Sequence, residues 1–430
     1  MDFKTIDYSL KQEKGKFKFR GWIKRKRVFG EKIFILLRDT TNEMQCVFAK
    51  ADLKNEIWAK VDQATIESSV SISGSLKEDK RAPNGFELVA SEIEVISLSA
   101  EFPIQRDLSE SFILDVRHLW MRSSKMTDAL KVKATVLEAF RDFMKEKNVT
   151  EVQGPMFVTG AVEGGSTLFE VPYFGKKAFL TQSSQFYLET FIFSHGDVYT
   201  IAPSFRAEKS RTRRHVTEFW HAEGEFAWMG LPELLDFEEG MVKFIAKKVI
   251  ENNEQELKSL GRDPKELEPT IKKKWPRFTY NEILKDAQKK FPKLKHGSDF
   301  GEKEEREITK DFKTPIIVTH YPAKLKPFYH RPDPENPEYL LCNDVLAPEG
   351  YGEIIGSGER CWNMDEILSR MKAQHIDPKP YQWYIDLRKY GGVQHSGFGL
   401  GIERLTTWLC KLDHIKDVIA YPRTMNRLYP

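Results

Sequence analysis

Three observations predict an α+β protein of two domains. The chain has 430 residues, more than one hydrophobic core usually organises. Residues 16–98 read as short alternating strands broken by turn residues. From residue 125 onward, helical periodicities and apolar strands follow one another without regular βαβ alternation.

The N-terminal strands are KFKFRGWI, KIFILLRD, EMQCVFAK, SSVSISGSL and GFELVASEIEVISL, punctuated by Gly30, Thr41-Asn42, Gly74 and Asn84-Gly85. A helix fits roughly 50–61, KADLKNEIWAKV. Five strands and one helix in so short a span match an oligonucleotide-binding (OB) barrel over 1–98. An SH3-like or other small barrel would use the same elements. Residues 1–38 hold twelve Lys/Arg against four Asp/Glu, which points to a polyanionic partner, although a solvated lysine-rich face has the same composition.

Residues 99–124 read as a linker or hinge that runs into a helix. From Thr127 to Lys147, Leu130, Ala134, Leu137, Phe140 and Met144 recur at helical spacing. The strand VTEVQGPMF follows, with Pro155 at its exit. Within the larger domain, 125–430, the stretch 252–313 mixes both charge signs with weak helical periodicity. It reads as an inserted run of solvated surface helices. Apolar strands resume at PIIVTHYPA, LLCNDVLAP and YGEIIGS, and the chain closes with GFGLGIERLTTWLCKL, glycines running into a helix.

Composition excludes several classes. The four cysteines, Cys46, Cys342, Cys361 and Cys410, are scattered without a CxxC, so neither a disulfide framework nor structural zinc is expected. There is no leader-like apolar region and no apolar run of membrane-spanning length, so a soluble cytoplasmic protein is expected. GFGLG lacks the strand-GxGxxG-helix setting of a dinucleotide site.

The chemistry concentrates in FRAEKSRTRRHVTEFWHAEGEF, 205–226, and in GFGLGIERL. Arg206 and Glu208 lie two apart on a strand-like segment, a basic loop follows, and an aromatic strand returns. In GFGLGIERL, glycines let backbone approach a ligand and Arg404 lies in the first turns of a helix. Two arginines on separate rigid elements can clamp a polyphosphate as a lysine cannot, while structural salt bridges are the alternative for either motif alone.

Together with the Pro155 segment, these motifs resemble the three signatures of class II aminoacyl-tRNA synthetases. Pro155 belongs to the first, Phe205-Arg206-Ala207-Glu208 to the second, and Gly399-Leu400-Gly401-Ile402-Glu403-Arg404 to the third. The barrel in front narrows the resemblance to the aspartyl/asparaginyl/lysyl group. EGGSTLFEVPYFGKKAFLTQSSQFYLET, SRTRRHVTEFWHAEGE and HSGFGLGIERLTTWL look like its asparagine enzymes of archaeal and eukaryotic type.

The resemblance implies a mainly antiparallel sheet flanked by helices, ATP as substrate, magnesium, L-asparagine, tRNA(Asn), and a homodimer built by the first motif, with no membrane or DNA partner. It implies that Arg206 and Arg404 are catalytic. Glu208, Arg214, His215, Phe219, Glu353 and Gly401 join them around ATP, with Phe219 on the adenine. Glu353 and Asp344 would bind magnesium, which prefers hard oxygen ligands. Gly356 stands where the aspartate enzymes carry serine, and the interval from Asp344 to Glu353 is longer than usual.

For the amino acid, the resemblance implies Glu163, Gln185, Leu188, Glu223, Arg360 and Gly397. Glu163, in a Glu163-Gly164-Gly165 loop, and Gln185 would accept from the α-ammonium. Aspartate and asparagine are nearly isosteric, so donor and acceptor pattern must separate them. Leu188 stands where aspartate enzymes place a lysine facing the substrate carboxylate. Glu223 would accept from the substrate NH₂ and repel a carboxylate, and Arg360 would donate to the oxygen. In the barrel, Phe34 would stack on the central anticodon uracil, Gln45 would bond its edge, and Arg27 would touch a neighbouring base or phosphate. Alternatives are an aspartyl-tRNA synthetase, non-discriminating toward tRNA, an ATP-dependent asparagine synthetase, and a non-catalytic tRNA-binding paralogue. The barrel argues against the synthetase and the two arginines against the paralogue.

Overall fold

A computed structural model describes residues 2–104, 109–160, 167–209 and 212–430. It divides into two compact units, Met1–Ile113 and Leu114–Pro430.

The first unit is a closed barrel of β1 (Gly15–Phe29), β2 (Lys32–Arg38), β3 (Glu43–Ala49), β4 (Ser69–Glu78) and β5 (Phe86–Ser97), in the order β1-β2-β3-β5-β4. The alternation read from the sequence is what closes it. Phe17, Phe19 and Ile23 of β1, Ile33, Ile35 and Leu37 of β2, and Met44, Cys46 and Phe48 of β3 all point inward. Every second residue between them faces out. Gly74 sits at a register shift, where a Cβ would lie 2.3 Å from Val89 O, so only glycine lets the two strands cross so closely. The helix expected near 50–61 forms at Asn55–Gln63.

In the second unit the strands are β6 (Thr150–Glu151), β7 (Phe157–Val158), β8 (Glu170–Tyr173), β9 (Lys176–Leu180), β10 (Val198–Phe205), β11 (Glu218–Ala227), β12 (Arg277–Thr279), β13 (Ile316–Thr319), β14 (Cys342–Ala347), β15 (Gly352–Glu359) and β16 (His395–Gly401). Eight of them make one sheet, ordered β12-β13-β14-β15-β16-β11-β10-β6. Pairing is antiparallel except at the two ends, β12-β13 and β10-β6. The strand expected around Pro155 shrinks to two residues, because Gly154-Pro155 cannot continue the ladder.

The helices Ser124–Glu146 and Leu231–Asn252 cover one face of this sheet. Ser123 starts the first, its hydroxyl accepting from Met126 N. Phe143 meets Phe237 edge-on at 5.2 Å between ring centres, joining the two helices. Phe398, Leu400, Ile355, Val345 and Ala222 pack beneath them, so this face is dry core.

The stretch 252–313 corrects the reading of solvated surface helices. It supplies β12, an edge strand of the main sheet, and buries Trp275, Tyr280, Arg262 and Glu305. Tyr280, Ile283, Leu284 and Phe300 form a core with Ile316, Val318 and Leu346. Its charges lie between buried apolar positions too sparse to show as periodicity.

Candidate active site

The face of the sheet opposite the two helices is built on glycine. Glu223 of β11 pairs with Gly399 of β16, which pairs with Gly356 of β15, which pairs with Asp344 of β14. One row along, Glu225, Gly397, Gly358 and Cys342 align in the same way. Acidic side chains thus rise at both edges of a central strip without side chains. The strip must stay bare: a Cβ at Gly397 would lie 2.2 Å from the Glu225 carboxyl, and one at Gly399 would lie 2.5 Å from His221 Nε2.

Two recesses lie on this face. The larger, about 740 Å³, is walled by Gln185, Arg206, Glu223, Asp344, Glu353 and Arg360 among others. The smaller, about 60 Å³, is lined by all eight residues expected around the nucleotide: Arg206, Glu208, Arg214, His215, Phe219, Glu353, Gly401 and Arg404. Arg206, His221, Glu353 and Gly399 belong to both, so the two recesses share a wall.

In the smaller recess, Arg206 stands just past the end of β10 and its guanidinium lies over the Phe219 ring at 5.4 Å. Arg206 N still bonds Thr217 O at 3.0 Å, which keeps the hairpin closed beyond the strand. Arg404, in the helix Ile402–Leu409, bonds the Glu353 carboxylate at 3.1 Å. Burial alone would raise the Glu353 carboxyl, but Arg404, Lys326, Arg214 and Arg206 outweigh it and hold it down at about 2. His215 bonds Thr212, and burial, then Arg404, lower its pKa, so the ring is neutral at pH 7. Residues 210 and 211 of this loop lie outside the described residues.

In the larger recess, Asp344 and Glu353 converge on Gly356. A Cβ there would lie 3.6 Å from an oxygen of each. Lys326 bonds both Asp344 oxygens, at 2.7 and 2.6 Å, and lies over the Tyr321 ring at 4.2 Å. Burial works to lower the Lys326 pKa, but Asp344 outweighs it and raises it, so the ammonium stays charged. Glu223 accepts from Ser184 N at 2.8 Å and from Ser183 Oγ. Arg360 is gripped by Glu225, with contacts of 3.2, 3.2 and 2.6 Å. Behind it, Glu189 accepts from Gln185, Arg388 and Tyr384 and meets His395. Burial would raise the Glu189 carboxyl, but Arg388 and His395 hold it well below the usual carboxylate range.

Two expectations are corrected. Leu188 does not reach the recess: it is fully buried in an apolar cluster with Val152, Ile192 and Val198. A position aligned to a lysine tells nothing of where a shorter side chain points, and here it points into the core. Gly397 does not line the recess either; it makes room for the carboxylate that holds Arg360. Glu163 lies outside the described residues. In the barrel, Arg27 pairs with Phe34, and Gln45 with Leu36, so all three lie on the outward face of β1-β2-β3. Phe34 is half-buried and outside the barrel core, which removes the reading of it as a core residue.

Sequence reading missed Lys326, Ser183, Tyr329 and His330, which also line the larger recess. Three of these come from AKLKPFYHRP, which has no periodicity. Its signal is only the clustering of lysines and aromatics between strands. His330 is buried and its Nδ1 finds no hydrogen-bond partner among the described residues.

Residues 109–425 match the family model described as tRNA synthetases class II (D, K and N), and residues 17–96 match the OB-fold nucleic acid binding domain. Fold and site together define a class II aminoacyl-tRNA synthetase. The chain is 50% identical over 415 residues to an asparagine–tRNA ligase of Thermoplasma acidophilum, covering 96% of each. It is 46% identical to that of Thermococcus gammatolerans, covering 99% of this chain and 98% of the relative. It also matches, at TM-score 0.95, 43% identity and full coverage of both chains, the crystal structure of asparaginyl-tRNA synthetase from Pyrococcus horikoshii complexed with asparaginyl-adenylate. The chain belongs to the asparagine–tRNA ligase family.

Proposed function

We propose that the chain activates L-asparagine with ATP, giving asparaginyl-adenylate and pyrophosphate, and then transfers asparagine to the 3′ end of tRNA(Asn). The observation that carries this is the shared wall. The recess lined by the eight nucleotide residues meets, at Arg206 and Glu353, the recess that holds Glu223 and Arg360. A nucleotide α-phosphate and an amino-acid carboxylate would come together there.

The first step is in-line attack of the carboxylate on the α-phosphorus. The attacking oxygen is already ionised, so no side-chain base is required. The chain's contribution is positioning and charge neutralisation by Arg206 and Arg404. Phe219 offers a face for the adenine, and Glu208 an acceptor beside it. In the second step the terminal ribose hydroxyl attacks the adenylate carbonyl and AMP leaves.

Asp344 and Glu353 fit a magnesium ion: both offer hard oxygens, and Gly356 leaves the space between them clear. When bound, the ion would offset phosphate charge. Lys326 already supplies a fixed positive charge to Asp344.

Selection of asparagine rests on Glu223 and Arg360. Glu223 already accepts from Ser183 and Ser184, and a carboxylate has further lone pairs for an amide NH₂. It has no proton to offer an aspartate carboxylate. Arg360, charged and pinned by Glu225, would donate to the amide oxygen. Gln185, on the wall of the same recess, would accept from the α-ammonium. The anticodon would meet Arg27, Phe34 and Gln45, and two copies would associate through the Pro155 segment in the cytoplasm. Charging of a tRNA(Asn) transcript with labelled asparagine tests the reading; no product with ATP, asparagine and magnesium all present would reject it.

A further inference from the structure

Glu305 lies in the helix Glu302–Thr309, within the charged stretch that no motif covers. It is only 7% exposed, yet it lines neither recess. Its Oε2 accepts from two directions: from Arg214 Nη1 on the basic loop, and from the backbone N of Glu353 at 2.8 Å. Arg214 Nη1 also donates to Tyr351 O at 3.1 Å. One carboxylate oxygen therefore ties the loop that follows Arg206 to the start of β15, which bears Glu353.

The junction leaves no room for a side chain at the residue between. Gly352 has φ +73°, and a Cβ there would lie 2.0 Å from Arg214 Nη1 and 2.4 Å from Glu305 Oε2. On its far side, Glu353 carries the load onward: its carbonyl and carboxylate both meet Arg404 Nη1, at 3.3 and 3.1 Å. The fixed points of the nucleotide recess are thus linked in a line, Arg214–Glu305–Glu353–Arg404.

We propose that Glu305 is a positioning residue for ATP. It sets the basic loop and the Glu353 backbone at a fixed separation, so the nucleotide meets its ligands already in place. Arg214 then serves as an anchor of the loop as well as a lining residue. An arginine bonded to both a carboxyl oxygen and a backbone carbonyl is held more firmly than a loop held by backbone bonds alone. The inference rests on the ligase reading, which exchange by the wild-type enzyme checks separately.

The test is ATP–pyrophosphate exchange with Glu305→Gln, Arg214→Ala and the double variant, with melting temperatures of all three. Gln keeps the shape but loses the charge and the second acceptor. Loss of a charge-assisted bond to a positioning carboxylate should raise KM for ATP by about tenfold or more in Glu305→Gln. KM for asparagine should stay within about twofold, because no contact of Glu305 reaches Glu223 or Arg360. The double variant should lose less than the product of the two single losses, since Arg214 and Glu305 share one bond. An unchanged KM for ATP overturns the proposal. So does a full multiplicative loss in the double variant, or a fall confined to kcat together with a lower melting temperature. Calorimetric titration of ATP into the Gln variant gives the same answer independently of turnover: weakened binding supports the proposal and unchanged binding refutes it.

Discussion

Glu225 and Arg360 form a buried ion pair on the glycine strip, and the Glu225 carboxylate occupies the space above Gly397 that any side chain there would take. Arg360 is thereby aimed by a residue that itself lines no recess. Gly397→Ala should push Glu225 aside and leave Arg360 misplaced. Breaking a buried pair is costly, so KM for asparagine should rise at least about tenfold while KM for ATP stays unchanged. Steady-state exchange with each substrate varied in turn measures this; equal effects on both substrates would mean that the sheet itself has been distorted.

In the proposed reading, Glu223 bears the discrimination. Glu223→Gln keeps size and loses the acceptor that aspartate cannot satisfy. Asparagine kcat/KM should fall by about 10- to 100-fold, the worth of a hydrogen bond to a charged group, and the preference for asparagine over aspartate should narrow. Competitive exchange with the two amino acids reads both numbers. A preference as wide as the wild type's would move selection to another residue.

His330 gives a pH signature. Burial, then Arg360, Lys326 and Arg370, depress its pKa well below the usual histidine value. The native state therefore binds fewer protons than the unfolded chain. Stability from this group is complete above about pH 6.5 and is lost as pH falls below it. Between pH 7 and pH 5 the wild type should lose up to about 2 kcal/mol more than His330→Gln. Denaturant unfolding at both pH values checks it, and parallel losses would show that His330 is not depressed.

How much of this was legible in the sequence follows from how each residue signals itself. The barrel showed through because alternate residues of β1-β2-β3 face a closed core, a pattern of period two. Seven of the eight residues expected around the nucleotide were legible because they sit in two short contiguous motifs, and the eighth, Glu353, stands alone in YGEIIGS. Glu305 did not: the segment around it reads as surface charge, and only the fold places one of its glutamates between Arg214 and Glu353. Lys326 and His330 come from a loop whose path is set by the strands on either side. Leu188 misled because a substitution at an aligned position says which group is missing, not where the replacement points.

Phe34→Ala tests whether the two units divide the proposed work. Phe34 is half-buried on the outward face of the barrel, in register with Arg27. Phe34→Ala should cost about 1–3 kcal/mol of base stacking, raising KM for tRNA by roughly tenfold or more. Amino-acid activation, which needs no tRNA, should be untouched. Loss of exchange in this variant would contradict the division of labour.

Glu223 and Arg360 are proposed to make this an asparagine site. ATP–pyrophosphate exchange by the wild-type enzyme, with asparagine and aspartate offered separately, tests this most directly. Rapid exchange with asparagine and little or none with aspartate is expected; exchange supported by aspartate and not by asparagine would overturn the assignment.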